Sequence, residues 1–491
     1  MKLKIKIFIK LMVFQIRLKI YKMLPGSPKL ALRLCCKQLK WEIDHLVGLP
    51  LRVCIDNDSE NDCENLEWIK HIHIRELTIR HRDGNLTLPS PWISSLKNGG
   101  FMHLNRLSLS GLNLQAEGDL ATILTALSTL DSLCELSLNF RAYYTENHSI
   151  GSKTQMDTVY NFPNLTTLNF NCFVVLADLV HGEGITNLKC FQQMYCPQLK
   201  SLSIKLDLND CQMQAHLLWY LELVENFSNS LQHLKIVLFS NMERYRDWER
   251  SRLKIEQKAL EVGSQLKNLK EMHIVFYKAE EVSVWTNFFH RIRTSLEKLK
   301  IEFRSDIVWK LYRESALLKK NSLPNLKSLT VTWQDFCLDL KTITQISDRL
   351  EILELRPFGP VSEYNKEVEN IDQIPLSLKK LIVLPNSLVQ FNGSLLKKCI
   401  STRESLIVQY DTLMAVWEAS CMGVFLTKPN FIWKGIMCET GPALRDASAL
   451  CEKFGIPPGK LYRYENYKSY RYDDDYDDSD DYDYDDSDDY D

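Results

Sequence analysis

The chain has 491 residues, 45% hydrophobic and 25% charged, which excludes collagen-like and wholly disordered classes and allows a large buried core. Its 60 Lys and Arg against 63 Asp and Glu give a net charge of −3. Residues 473–491 hold thirteen Asp and no cation, so setting that tail aside leaves the rest at +10. Fourteen Cys are scattered without a Cys-x-x-Cys pair and with no secretory signal before them, which argues for reduced thiols rather than a disulfide framework.

Residues 1–10 form a basic extension that alternates with period two. Lys4, Lys6 and Lys10 interrupt each apolar run, which argues against a signal peptide or a membrane span. No acid occurs from Met1 to Trp41, as in a mitochondrial presequence, but serine is scarce and the period is not helical.

Residues 11–45 read as a small helical module. Ile16, Ile20, Met23 and Leu24 share one helical face before Pro25-Gly26 breaks the chain. Ser27 can cap a second helix whose first turn tolerates Pro28. On that helix Lys29, Arg33, Lys37 and Lys40 fall in one narrow stripe. Leu32, Cys36, Leu39 and Ile43 line one side of the stripe, and Leu30, Leu34 and Trp41 line another. Two apolar sides suit a helix packed on its own repeats and on a partner; a plain N-terminal cap is the other reading. Adjacent Cys35 and Cys36 diverge by about 100° on a helix, with no His/Cys pair nearby at ligand spacing, so zinc is not expected.

From 46 to 400 one hexapeptide, L-x-x-L-x-[LIVF], organises the chain. Copies begin at Ile74, Leu104, Leu133, Leu165, Leu199, Leu231, Leu269, Leu296, Leu326, Leu350 and Leu378, at spacings of 24 to 38 residues. A degenerate further copy begins at Leu46. Alternate residues of a short strand share a face, so each copy predicts a strand with its leucines turned inward. The intervening 18 to 32 residues must return the chain, and DLATILTALSTLDS and QAHLLWYLELVENFS have the period of helices. Residues 401–459 read as a C-terminal cap, and 460–491 as a disordered Tyr/Asp-rich acidic tail.

Eleven copies in register resemble the leucine-rich repeat, which implies an α/β solenoid: a curved parallel strand ladder with a helical or irregular outer side. The commonest form of that repeat has Asn or Cys three residues after the strand; Leu112, Arg141, Phe173, Asp207 and Phe239 stand there instead. The uneven spacing is similar to the irregular repeats of intracellular, fungal-like proteins. The preceding module resembles the F-box, through Gln15-Ile16, Ile20 and Leu24 in its first helix and Cys36-Lys37, Leu39 and Trp41 in its last. Met12-Val13 stands where that pattern has Leu-Pro. The resemblance implies that Ile16, Ile20, Leu24, Pro25, Leu32, Cys36 and Leu39 would contact a Skp-family adaptor.

No phosphate-binding loop, dinucleotide fingerprint, nucleophile elbow or zinc-protease motif occurs, and no cofactor or metal is expected. Attention therefore falls on the residues between the repeat leucines. There Lys205, His233, Lys235, His273, Lys298 and Lys300 collect in four consecutive repeats, with Glu271 and Glu302 as the nearby acids. At about 4.8 Å per strand this is a patch roughly 15 Å long. It suits an acidic or phosphorylated protein substrate, while solubility alone would also account for lysines on a strand surface. Ser479 and Ser487 in the tail stand in contexts suited to an acidophilic kinase.

The resemblance to F-box and leucine-rich repeat proteins implies a non-catalytic cytoplasmic or nuclear substrate receptor of an SCF-type cullin-RING ubiquitin ligase. A non-ligase scaffold in a chromatin, kinetochore or other multiprotein assembly is the alternative. No membrane partner is expected, and with no arginine-rich arm or recognition helix, nucleic acid is not the expected partner either.

Overall fold

A computed structural model of the chain describes residues 49–55, 74–81, 101, 103–114, 119–144, 158–176, 189–208, 213–240, 248–276, 281–303, 321–334, 345–358, 376–383, 406–414, 431–438 and 461–463. The chain divides into two compact units: Met1–Lys327 with Gln345–Ser347, and Ser328–Thr344 with Asp348–Asp491.

The first unit is α/β. Its main strands are β1 (Leu49–Ile55), β2 (Ile74–His81), β3 (Arg106–Leu114), β4 (Glu135–Tyr144), β6 (Thr167–Leu176), β8 (Ser201–Leu208), β9 (His233–Ser240), β10 (Glu271–Phe276) and β11 (Lys298–Phe303). They lie side by side in chain order, every pair parallel. Two short strands, β5 (Tyr160–Asn161) and β7 (Met194–Tyr195), make a separate parallel pair. Parallel neighbours need a crossover, and helices supply several of them: α1 (Asp119–Leu127), α2 (Lys189–Gln192), α3 (Met213–Asn226), α4 (Trp248–Gln265) and α5 (Glu281–Ile292). Helices α1 and α3 fall where the 3.6-residue period places them. Among the described residues the longest helix, α4, fills the longest interval between repeat leucines, Leu231 to Leu269.

Each copy of the hexapeptide places its leucines as a strand requires. Leu104, Leu133, Leu165, Leu199, Leu231, Leu269, Leu296 and Leu326 are 1% exposed or less. The next two inward positions, for example Leu136 and Leu138 in β4 or Leu202 and Ile204 in β8, are also buried. Gly111 adopts φ 79° where β3 shifts register against β4, a conformation open to glycine without cost, and beyond it Leu112 pairs with Phe140. The helices cover the leucine side. Phe191 of α2 stacks on Phe170 of β6 at 4.5 Å, Trp219 of α3 meets Phe170 edge-on at 6.1 Å, and Tyr220 donates its hydroxyl to the Ile204 carbonyl at 3.1 Å. Trp285, Phe288 and Phe289 of α5 are buried as well.

Inter-repeat bonds begin before each strand. The residue after a repeat leucine offers its carbonyl to two successive amides of the next repeat, as Asn105 O accepts from Cys134 N and Glu135 N at 2.8 and 2.9 Å. Thr166, Lys200, Gln232 and Lys270 repeat this arrangement with their own successors.

The second unit is built from six parallel strands in chain order: β12 (Ser328–Gln334), β13 (Ile352–Phe358), β14 (Lys380–Val383), β15 (Ile407–Met414), β16 (Phe431–Cys438) and β17 (Leu461–Arg463). Leu329, Leu353, Leu355 and Leu381 form its buried side. Strands β15 and β16 lie within the region that the sequence marks as a cap, so parallel pairing continues there past the last legible copy of the motif.

Candidate functional site

The side chains between the buried leucines form three rows across the face of the first unit opposite its leucine-lined side. The first row runs Glu76, Arg106, Glu135, Thr167, Ser201, His233, Glu271, Lys298. The middle row runs Thr78, Ser108, Ser137, Asn169, Ser203, Lys235, His273, Lys300. Every position in both rows is polar or charged. The third row ends Lys205, Val237, Val275, Glu302, of which both valines are buried.

The sequence-selected residues come together on this face. His233, Lys235, His273, Lys298 and Lys300 stand on the adjacent strands β9, β10 and β11, and Lys205 on β8 lies opposite Val237. Lys235 and Lys300 flank His273 within the middle row, one strand away on either side.

The two acids tie this cluster together. Glu271 accepts from His233 Nδ1 at 3.1 Å and pairs with Lys298. Burial pushes the Glu271 carboxyl up, and the Lys298 and His233 contacts more than reverse this, so its pKa lies below the usual range. Glu302 is the more buried, at 8% exposure, and its Oε1 lies 2.8 Å from both His273 Nε2 and Lys300 Nζ. Its burial likewise opposes ionisation, yet the His273 hydrogen bond and the Lys300 charge hold the carboxyl far below its ordinary range. An ionised carboxylate only accepts, so His273 donates through Nε2 and keeps Nδ1 as its acceptor nitrogen when neutral. Burial, with the Lys300 and Lys235 charges, lowers the His273 pKa against the raising effect of Glu302.

The site is thus a charge-alternating mosaic in which carboxylates orient His233, Lys298, His273 and Lys300. The lysine-rich pattern was legible in sequence; the role of Glu302 as a buried anchor was not. A signal for it existed, since Glu302 stands in the third row where the two preceding strands place Val237 and Val275.

A second ion-paired group joins the first strands. Arg106 bridges Glu76 at 3.4 Å and Glu135 at 3.0 Å across three strands. In the second unit Glu354 accepts from Thr330 at 3.1 Å and from Arg356 at 2.7 Å. Asparagines missed by the sequence reading also repeat. Asn164, Asn268 and Asn325 immediately precede repeat leucines and donate Nδ2 to the carbonyls of Asp131, Asn229 and Thr294 in the turn one repeat earlier, at 2.7 to 2.8 Å.

Ile16, Ile20, Leu24, Pro25, Leu32, Cys36 and Leu39, with Ser479 and Ser487, lie outside the described residues. Among the described residues, no group of three or more His, Cys, Asp or Glu side chains is placed to hold a metal ion, and no helix is long and apolar enough to cross a membrane. No protein-family model matches the chain, and no curated protein matches it.

Proposed function

We propose that this chain is a non-catalytic protein-binding subunit: an F-box-like module followed by a leucine-rich repeat solenoid, serving as substrate receptor of an SCF-type ubiquitin ligase. The observation that carries this reading is the order of two motifs in one chain. In sequence, residues 11–45 carry two stretches of helical period on either side of Leu24-Pro25, and a degenerate and then eleven full copies of the repeat hexapeptide follow. One parallel strand per copy, with polar rows on the side away from the leucines, is the arrangement such a receptor would use to hold a protein.

In this reading Ile16, Ile20, Leu24, Pro25, Leu32, Cys36 and Leu39 dock a Skp-family adaptor that brings the cullin, in the cytoplasm or nucleus. The rows around Lys205, His233, Lys235, His273, Lys298 and Lys300 hold the substrate, and an acidic or phosphorylated segment is the class that they suit. The chain contributes proximity, and the assembly supplies the ubiquitin chemistry.

Co-purification tests the assignment. Full-length chain expressed with a Skp-family adaptor and a cullin should recover both, and a variant substituted at Leu24, Leu32 and Cys36 should recover neither. Adaptor without cullin would point instead to a scaffold in a multiprotein assembly. Absence of the adaptor, or its retention by the triple variant, would refute the docking claim. Charge reversal at Lys235, Lys298 and Lys300 should abolish binding of the substrate recovered with the complex while leaving the adaptor bound.

A further inference from the structure

The second unit departs from the repeat's own rule. In strands β2 to β11 of the first unit, all first-row and middle-row positions are polar, and the apolar third-row residues Val237 and Val275 are 6% and 3% exposed. In the second unit the corresponding first row is Ser328, Ile352, Lys380, Ile407, and Ile382 stands in the middle row. Ile352 and Ile407 are 37% and 40% exposed, and the turn entering β14 exposes Leu376 at 93%. Ile352 and Ile407 are exposed aliphatic side chains in one row, at positions that are polar elsewhere in the same repeat, and this marks a contact surface rather than chance.

One cation stands at the centre of this group. Lys380 lies between Ile352 and Ile407 in its row and two residues before Ile382 on its own strand. The nearby carboxylates are ion-paired with other cations, Glu351 with Lys379 at 3.1 Å and Glu354, opposite Ile382, with Arg356 at 2.7 Å. Among the described residues, no carboxylate is paired with Lys380. A lysine framed by apolar surface favours an anionic group carried on an apolar partner, because a carboxylate brought there is shielded from water.

Spacing narrows the partner further. Neighbouring strands are about 4.8 Å apart, which sets Ile352, Lys380 and Ile407 at steps of about 5 and 10 Å along the row. A helix rising about 1.5 Å per residue places side chains at i, i+3 and i+7 at about 4.5 and 10.5 Å. We propose that Ile352, Lys380, Ile382 and Ile407 form a docking surface for an amphipathic helix of a partner protein. That helix carries apolar residues seven apart and a Glu or Asp between them on the same face. This surface shares no residue with the lysine-rich rows of the first unit and does not depend on the F-box-like module. Adaptor co-purification should therefore be unchanged by substitutions here.

The test uses the full chain and a fluorescein-labelled, lactam-stapled 14-residue helical peptide with Leu at i, Glu at i+3 and Leu at i+7, read by anisotropy. Binding is expected, and Ile352→Ser with Ile407→Ser should weaken it by about tenfold or more. A peptide carrying Lys at i+3 should bind poorly to the native chain and regain affinity for Lys380→Glu. That charge swap decides the matter even if the double isoleucine variant fails to fold. Absence of binding, or binding indifferent to both the isoleucines and the charge swap, overturns the proposal. So does a dimer in sedimentation that the double variant converts to monomer without any peptide binding, which would make a second copy of this chain the occupant.

Discussion

His273 Nε2 lies 2.8 Å from Glu302 Oε1, across strands β10 and β11, and the same oxygen accepts from Lys300 at 2.8 Å. This contact places a neutral imidazole between two lysines and fixes it from below with a buried anion. Both titratable partners are shifted downward, with opposite charge consequences: the acid is held charged and the base is held neutral.

Acidification should expose the histidine's half of this arrangement. The unfolded chain takes up a proton at His273 as pH falls through about 6.5, while the folded chain resists it. The unfolded state therefore binds more protons in this window, and stability falls with pH by up to about 1.4 kcal/mol per unit. Urea midpoints at pH 7.5 and 5.5 should differ, with the lower value at pH 5.5, and His273→Gln should flatten that difference. An unchanged slope in the variant would count against it.

The carboxylate's contribution has a lower window. With its folded pKa depressed, Glu302 stabilises the fold above the unfolded carboxyl range of about 4.3, and this is lost as pH falls below that range. At pH 7, Glu302→Gln removes the anion beneath His273 and Lys300 and should cost about 2–4 kcal/mol. The check is a denaturant midpoint that falls while the m-value is unchanged.

Gly263 in α4 predicts a loss where helix propensity alone predicts a gain. A β-carbon there would lie 2.9 Å from Arg291 Cβ and 3.0 Å from the Phe288 carbonyl oxygen of α5. Both atoms belong to, or sit beside, the backbone and cannot swing aside. Gly263→Ala should lower the thermal midpoint, with an overpacking cost of about 1–3 kcal/mol outweighing the roughly 1 kcal/mol gained from alanine.

The repeating asparagine bonds should each be worth a modest, equal amount. Asn268→Ala removes the Nδ2 bond to the Asn229 carbonyl and should destabilise by about 1 kcal/mol, and Asn164→Ala likewise through Asp131. Asp at either position keeps the size but loses the donor, so it should rescue nothing in thermal melts.

Legibility varied from element to element for physical reasons. Strand positions in the first unit followed from the leucines, because period-two burial is written one residue at a time, and Leu104 to Leu326 are buried as that pattern demands. Helices α1 and α3 were legible from their apolar period, whereas α4 and α5 escaped the reading. The asparagine bonds were not legible either, because Asn164, Asn268 and Asn325 precede the repeat leucine and so lie outside the hexapeptide.

By itself the sequence determined that leucines turn inward, that a strand recurs every 24 to 38 residues, and that cationic side chains gather on four successive strands. Alternation and spacing are local properties of the chain, and they suffice for these conclusions. Only the tertiary structure decided which charges meet. The register of β9, β10 and β11 set Glu271 against His233 and Lys298, and Glu302 against His273 and Lys300, so that a row read as lysine-rich is an ion-paired mosaic. It decided, too, that Ile352 and Ile407 stand exposed on either side of Lys380. Register joins residues 24 to 38 positions apart, and pairing over that distance is fixed by how strands align, which no local window of the sequence contains.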